Sequence, residues 1–546
     1  MRFIKKYWEF ILFSILIIVS RVPFISKVLY SWDAAQFSLS LEKFDITQHQ
    51  PHPPGYLFYV GLGKFVNFFL NDSNLSFVFI SIITSILTVF VFYKFCELLF
   101  GNKKFAFYST LIFSSLPYFW YYGEVASTYI FDTLFSLLFV YLALLIIRKE
   151  KVIYLYCFSM MLGLSGGFRQ SLIVLFLMVW VFTVILLLYR KKLNLKHLFF
   201  NIITFLLSVA TWFVPVILLT GWHAYFELNQ FQYQAASEHT SILRSATPEF
   251  IYHNIINVLK VTLAAVGVLV LSPILLFFNK KLLLQWKKYW LEIILFILCL
   301  GPSFFVYFFI HFGNTGYLMS VSAIITVIFI VPIWFIYSNN STKKITKYIV
   351  AIFLIVSVVW FTQYHTKLLS YNNFSNKVNA KIQRLNLWYG RYSVSWINHF
   401  DQIIINNINE VRQFDPEKTV IVCGKGFKYR PNESETQIAA SSYDYFRHLE
   451  VYLPEYRLIQ LFNSNKYQYF DVKNKSQLLP IFSNEIALDQ EVDNIIIISD
   501  NIDRTELENL IIQTKKISSS QNIYTIDMKD LDKASFWGYI FKNGKL

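Results

Sequence analysis

The residues best placed to do chemistry in this chain are two carboxylates and one arginine, each at the edge of a long apolar run. Asp33 follows the first such run in "WDAAQFSLSLEKFDITQHQPHPPGY" (32–56), Glu124 sits in "WYYGEVASTY", and Arg169 lies in "GLSGGFRQSLIVLF". Ionisable groups near membrane depth are expensive to desolvate and are functional candidates by default. His52 and Tyr56 belong to the stiff His-Pro-Pro-Gly-Tyr turn, and His311 and Tyr317 flank "GNTG". The 221–253 loop adds His223, Glu227, His239 and Arg244. Taken singly, each has a plain structural reading. Asp33 and Glu124 suit the first turn of a helix, Arg169 suits an interfacial anchor, and His52 suits a proline-pinned turn.

The elements that must position these residues are set by composition. The chain has 546 residues, 55% hydrophobic and 19% aromatic but only 15% charged, with a mean hydropathy of +0.45. Soluble domains carry about a quarter charged residues, so the balance is that of a polytopic membrane protein. The net charge of +15 falls in short Lys/Arg clusters between apolar runs. That pattern sets membrane orientation and argues against nucleic-acid binding. Cys96, Cys157, Cys299 and Cys423 are widely spaced, which suggests neither a disulfide framework nor a zinc site. The N-terminal run has no small-residue cleavage site and reads as a retained helix.

Runs of the roughly 20 apolar residues that span a bilayer occur near 8–29, 74–100, 105–122, 125–147, 152–168, 171–189, 198–220, 254–278, 291–311, 317–337 and 347–364. With eleven transmembrane helices, all six basic clusters, from Arg2/Lys5/Lys6 to Lys343/Lys344/Lys347, fall on one side. The positive-inside rule makes that side cytoplasmic. "GYLFYVGLGKFVNFFL" (55–70) is short and holds Lys64, so it reads as a helix along the outer interface with Lys64 snorkelling. The expected protein is a multi-pass cell-membrane protein with a cytoplasmic N-terminus. It divides into a transmembrane domain (1–364, with an outer loop over 30–73), an amphipathic linker (365–415) and a small extracytoplasmic α/β domain (416–546). In that domain "KTVIVCG", "RLIQLF", "NIIIISD" and "NIYTIDM" read as buried strands, with helices at "YDYFRHLEVYL" and "TELENLIIQTKK". No Gly-rich phosphate loop is present, so no nucleotide cofactor is expected.

The stretch "DAAQFSLSLEKFDITQHQPHPPGYLFYVGLGKF" resembles the first outer loop of the GT-C glycosyltransferases, above all family 39, the dolichyl-phosphate-mannose protein mannosyltransferase-like enzymes. "YYGEVASTYIFDTLF", "GLSGGFRQSLIVLF" and "GNTGYLMSVSAII" are similar to later outer motifs of that family, and "FRHLEVYLPEY" more loosely so. The sequence departs from the best-known mannosyltransferases in having Ala34, not a second acidic residue, after Asp33. The resemblance implies a GT-C-like membrane fold and a glycosyltransferase. Such an enzyme transfers a sugar from a polyprenyl-phosphate donor in the lipid bilayer to a glycan, lipid or protein acceptor, on the outer face and with inversion. It implies Asp33 as the base on the acceptor, assisted by Glu124. Arg169 is implied as the cation that stabilises the departing phosphate, with Lys64 and Arg244 in reserve. His52, Tyr56 and Tyr317 would line the donor pocket. A divalent cation between Asp33 and Glu124 is a further option, since metal use varies among such families. Two other readings stand beside this one: a transporter or flippase of lipid-linked glycans, which Asp132 inside the fourth run favours, and a glycan-binding membrane scaffold.

Overall fold

The computed structural model describes residues 2–237, 240–278, 289–339, 342–363, 392–424, 446–462, 468–472, 481–488, 492–498, 517–520, 523–528 and 533–542. The chain divides into two compact units. One comprises Met1–Lys27 and Pro53–Asn398, the other Val28–His52 and His399–Leu546.

The first unit is helical. Its elements are α1 (Arg2–Arg21), α3 (Leu57–Leu70), α4 (Ser73–Phe100), α5 (Lys103–Ser115), α6 (Pro117–Tyr122), α7 (Tyr129–Lys149), α8 (Val152–Ser165), α9 (Ser171–Tyr189), α10 (Leu195–Thr220), α11 (Trp222–Ser237), α12 (Pro248–Val266), α13 (Trp290–Phe309), α14 (Met319–Ser338) and α15 (Lys343–Gln363). Every apolar run read from the sequence contains helix, and among the described residues eight helical stretches are long and apolar enough to cross a membrane. The starts of these helices are chemically marked, because the first N–H groups of a helix lack internal acceptors. Asp72 accepts from Leu75 N (2.8 Å), Asn102 from Phe105 N (3.0 Å) and Asn194 from His197 N (2.8 Å). α3 is 14 residues long, about 21 Å at 1.5 Å per residue and short of a 30 Å hydrocarbon core. It exposes Phe65, Phe68 and Phe69 along with Lys64, and buries Tyr59, Val60 and Val66.

Three boundaries differ from the sequence reading. α1 stops at Arg21 instead of 29, where Pro23 opens a 3-10 turn (Val22–Phe24). The third run breaks at Leu116, because Pro117 supplies no N–H and begins a new helix, α6. The fourth helix begins at Tyr129 and not beside Glu124, so the acidic residue in its first turn is Asp132.

The second unit is α/β. Its elements are α2 (Trp32–Glu42), α16 (Val394–Val411, entering from the first unit), α17 (Phe446–Tyr452) and nine strands. The strands are β1 (Thr419–Cys423), β2 (Arg457–Phe462), β3 (Gln468–Val472), β4 (Glu485–Ala487), β5 (Asn494–Ile498), β6 (Ile517–Ser520), β7 (Ile523–Asp527), β8 (Lys533–Phe536) and β9 (Tyr539–Lys542). A six-stranded sheet runs β3-β2-β1-β5-β7-β6, with β1 parallel to β2 and β5 and the outer pairs antiparallel. The central strands are apolar throughout because both faces are covered. Ile421, Cys423, Ile496 and Ile498 pack with Ile404, Ile408 and Val411 of α16 and Phe446 and Leu449 of α17. Val420, Val422, Ile495 and Ile497 face Ile486, Ala534, Phe536 and Phe541 of the small sheet β4-β9-β8. The four strands read from the sequence are all present. The expected helix over 505–516 and most of the expected linker lie outside the described residues.

The domain boundary also moves. The outer loop was expected to belong wholly to the membrane domain, but Val28–His52 groups with the C-terminal unit. The reason is a set of specific bonds. Leu29 N donates to Tyr452 Oη (2.8 Å), the Leu29 carbonyl accepts from His448 Nε2 (2.8 Å), and Val28 joins the core beneath α17.

Candidate functional site

In the first unit the turn between α8 and α9 carries Arg169. Its N–H bonds the Ser165 carbonyl (2.8 Å), and Phe58 N bonds the Gly167 carbonyl (2.9 Å). Arg169 Nε stands 3.1 Å from Asp132 Oδ2, off the line of an ideal hydrogen bond, with side-chain exposures of 11% and 2%. The guanidinium also lies over the Tyr129 ring at 4.6 Å and the Tyr317 ring at 5.1 Å. Tyr56 lies within electrostatic range of the same cation. The two rings adjoin each other (centroids 6.0 Å apart), and a cation over both, with a carboxylate on one edge, is held in orientation by three contacts.

The supports of this cluster are traceable to sequence. The "GNTG" turn is closed by Asn314, whose side chain accepts from Gly316 N (2.8 Å). Tyr118 Oη donates to the Thr315 carbonyl (2.7 Å), and Tyr307 Oη donates to the Tyr317 carbonyl (2.8 Å). Thr133 of α7 donates to the Met319 carbonyl (2.9 Å), tying Asp132's helix to Tyr317's. Gly316 and Gly167 permit close approach, since a Cβ on Gly316 would overlap the Tyr129 ring and one on Gly167 the Phe58 ring. Gly316→Ala is therefore expected to push Tyr129 off Arg169 and cost about 1–3 kcal/mol of overpacking, read as a lowered thermal midpoint in detergent.

Glu124 occupies a different environment. It lies between α6 and α7, wholly buried, with Oε1 accepting from Trp120 Nε1 (2.6 Å) and its carbonyl from Ser26 N (3.0 Å). Its charge partner is Arg21, itself buried, over the Trp120 ring (4.8 Å) and bonded to the Ser114 carbonyl (2.6 Å). Burial pushes the Glu124 carboxyl well above the usual range, with Arg21 and the Trp120 bond opposing. Glu124 neither opens a helix nor reaches a surface here. A carboxylate so enclosed and matched to an arginine does not suit a cation shared with Asp33. Among the described residues no group of three or more His, Cys, Asp or Glu side chains converges on a metal-binding point.

In the second unit Asp33 stands in the first turn of α2, which Ser31 caps by accepting from Ala34 N (3.1 Å). Its side chain is 38% exposed, and Oδ1 is 4.0 Å from His52 Nδ1, which also meets Gln36 Oε1 at 2.6 Å. Lys64 is exposed on α3. Arg244 is exposed and stacks over Tyr233 (5.2 Å), and His223 and Glu227 are exposed on α11. His239 lies outside the described residues. Among the proposed binding residues, the structure thus joins Arg169, Tyr56 and Tyr317, and joins His52 to Asp33. Lys64 and Arg244 share no contact with Arg169. Sequence reasoning missed Tyr129 and read Asp132 only as the intramembrane carboxylate that favours a transporter. Both follow Glu124 within one turn or two, and an aromatic at a helix start beside an acid was the available signal.

His49 gives a testable property of this unit. It adopts a left-handed conformation (φ 54°) after the turn Ile46–Gln48. Burial, then the nearby charges of Arg447 and His52, push its imidazole down from 6.5 to about 4. A depressed pKa means the neutral form is favoured in the fold, so its stabilisation is complete above pH 6.5 and is lost as pH falls toward 4. The expected loss on reaching pH 4 is about 3 kcal/mol. His49→Asn, which tolerates the same backbone, is expected to flatten the melting profile over that window.

These observations define a polytopic membrane protein with a buried arginine–tyrosine–carboxylate cluster and an appended α/β unit. Residues 51–218 match the family model of dolichyl-phosphate-mannose-protein mannosyltransferases. In fold, the chain is similar to the crystal structure of ArnT from Cupriavidus metallidurans in the apo state, at 12% identity and a TM-score of 0.56 over 94% of this chain and 97% of that one. It is also similar to the same protein bound to undecaprenyl phosphate, at 10% identity and a TM-score of 0.51 over 97% and 99%. No match was found among curated protein sequences. The chain thus resembles the GT-C glycosyltransferases of family 39, as its first outer loop suggests.

Proposed function

We propose that the protein is a membrane glycosyltransferase that moves a sugar from a polyprenyl-phosphate donor to an acceptor hydroxyl on the extracytoplasmic face, with inversion. The observation that carries this reading is the Arg169 cluster. A fixed, desolvated cation is suited to a phosphate whose charge grows as the sugar leaves. The cluster sits in a fold shared with a protein whose structure was solved with undecaprenyl phosphate. Asp132 holds the guanidinium in place, while Tyr129 and Tyr317 screen it from water. Asp33, open enough to meet an acceptor and next to His52, removes the hydroxyl proton as the new glycosidic bond forms. The carbon–oxygen bond to the phosphate breaks, and polyprenyl phosphate departs as the anion. Acceptors of glycan, lipid or protein type all present such a hydroxyl.

The pairing of Asp132 with Arg169 also bears on the transporter reading, because the intramembrane carboxylate that favoured it is engaged by a fixed counter-charge. The test is purified protein in nanodiscs with polyprenyl-phosphate sugars and an acceptor. Release of polyprenyl phosphate supports the enzyme, whereas movement of intact donor across liposomes with no bond broken supports a transporter. Glycan binding by the protein without either outcome supports the scaffold. The orientation has its own check. A cysteine at exposed Asn484 is expected to react with an impermeant reagent added outside the cell, and labelling only after the membrane is opened overturns the cytoplasmic N-terminus.

A further inference from the structure

Arg447 is 1% exposed, and a buried guanidinium must be matched on several sides or it destabilises the fold. Its partners do more than satisfy it. Nη1 donates to Glu450 on its own helix (2.5 Å), and Nη2 reaches the Gln48 carbonyl (2.7 Å), far back in sequence. The guanidinium also lies over Trp32 at 5.6 Å. Trp32 immediately precedes Asp33, and Gln48 lies beyond the far end of α2. One charged group therefore grips the Asp33-bearing segment at both ends. Further along α17, His448 and Tyr452 take the carbonyl and N–H of Leu29, fixing the approach to α2. α2 itself carries Asp33 and Gln36, and Gln36 positions His52. An apolar contact would join loop and helix at lower desolvation cost, whereas a guanidinium fork adds direction.

We propose that α17 is a positioning device for the first outer loop, with Arg447 a positioning residue that acts on the reaction through Asp33. The C-terminal unit thereby contributes to turnover without touching the reacting atoms. This rests on the reading of Asp33 as the acceptor base. Misplacing a base by a fraction of an ångström to an ångström slows the chemical step more than donor binding.

The experiment measures polyprenyl phosphate release and loop hydrogen exchange on the full chain. Arg447→Gln is expected to lower kcat about tenfold or more while the donor KM stays within about threefold, and Arg447→Lys to restore part of the rate. Tyr452→Phe, a milder change, is expected to speed exchange at the Leu29 amide and lower kcat in the same direction. A folded Arg447→Gln protein with wild-type kcat overturns the proposal. If that variant does not fold, Tyr452→Phe decides: faster exchange at Leu29 with wild-type kcat overturns it equally. A wild-type protein with no turnover on any polyprenyl-phosphate sugar refutes the function instead. In that case unchanged exchange across residues 29–50 in Arg447→Lys overturns the loop coupling on its own.

Discussion

Arg169→Met is expected to lower sugar transfer by about 10²–10³-fold, the range seen when one preorganised group facing a developing anion is removed. The effect is large because Arg169 is desolvated and held against the adjoining rings of Tyr129 and Tyr317. A lysine has neither the planar face nor the fork to use that slot, so Arg169→Lys is expected to restore little. Asp132→Asn separates chemistry from folding. It leaves Arg169 buried without its counter-charge, which costs about 3–5 kcal/mol in comparable buried pairs. Asp132→Asn should therefore lower the thermal midpoint, whereas Arg169→Met paired with Asp132→Asn recovers stability without activity. Wild-type release of polyprenyl phosphate by a folded Arg169→Met protein removes this residue from the mechanism.

Asp33→Asn is expected to lower turnover by about 10²–10⁴-fold, the usual contribution of a positioned base. The substitution keeps shape and hydrogen-bonding reach, and a first-turn side chain that is 38% exposed contributes little to the core. Melting should therefore stay at the wild-type value while kcat collapses. Asp33→Glu keeps the base but lengthens its arm, so a partial rate is expected. Full turnover in Asp33→Asn assigns the acceptor proton to another group.

The helical and strand inventory was largely legible because its signals are local. A run of about twenty apolar residues has few fates other than a helix when water is scarce. "TVIVC" and "NIIII" likewise announce strands covered on both faces. Prolines explain two of the three boundary differences, since Pro23 and Pro117 lie inside apolar runs whose hydropathy hides the break. The candidate site was legible only in part. Arg169 and Tyr317 were reachable through glycine-rich turns, which mark close backbone approach. The neutralising partner of Arg169 was not reachable, because nothing in sequence distinguishes Asp132 from Glu124 as its mate.

By itself, then, the sequence determined that this protein is a polytopic membrane chain with a small α/β unit, and which charged residues were costly enough to need explanation. Tertiary structure alone decided how those charges are matched. It placed Glu124 with Arg21 and Asp132 with Arg169. It also bound the segment carrying Asp33 to a helix about four hundred residues later, through Arg447, His448 and Tyr452. The physical reason is that hydropathy and periodicity act within a turn or a strand. The partner of a buried charge is fixed only when distant segments pack and exclude the water that would otherwise solvate it.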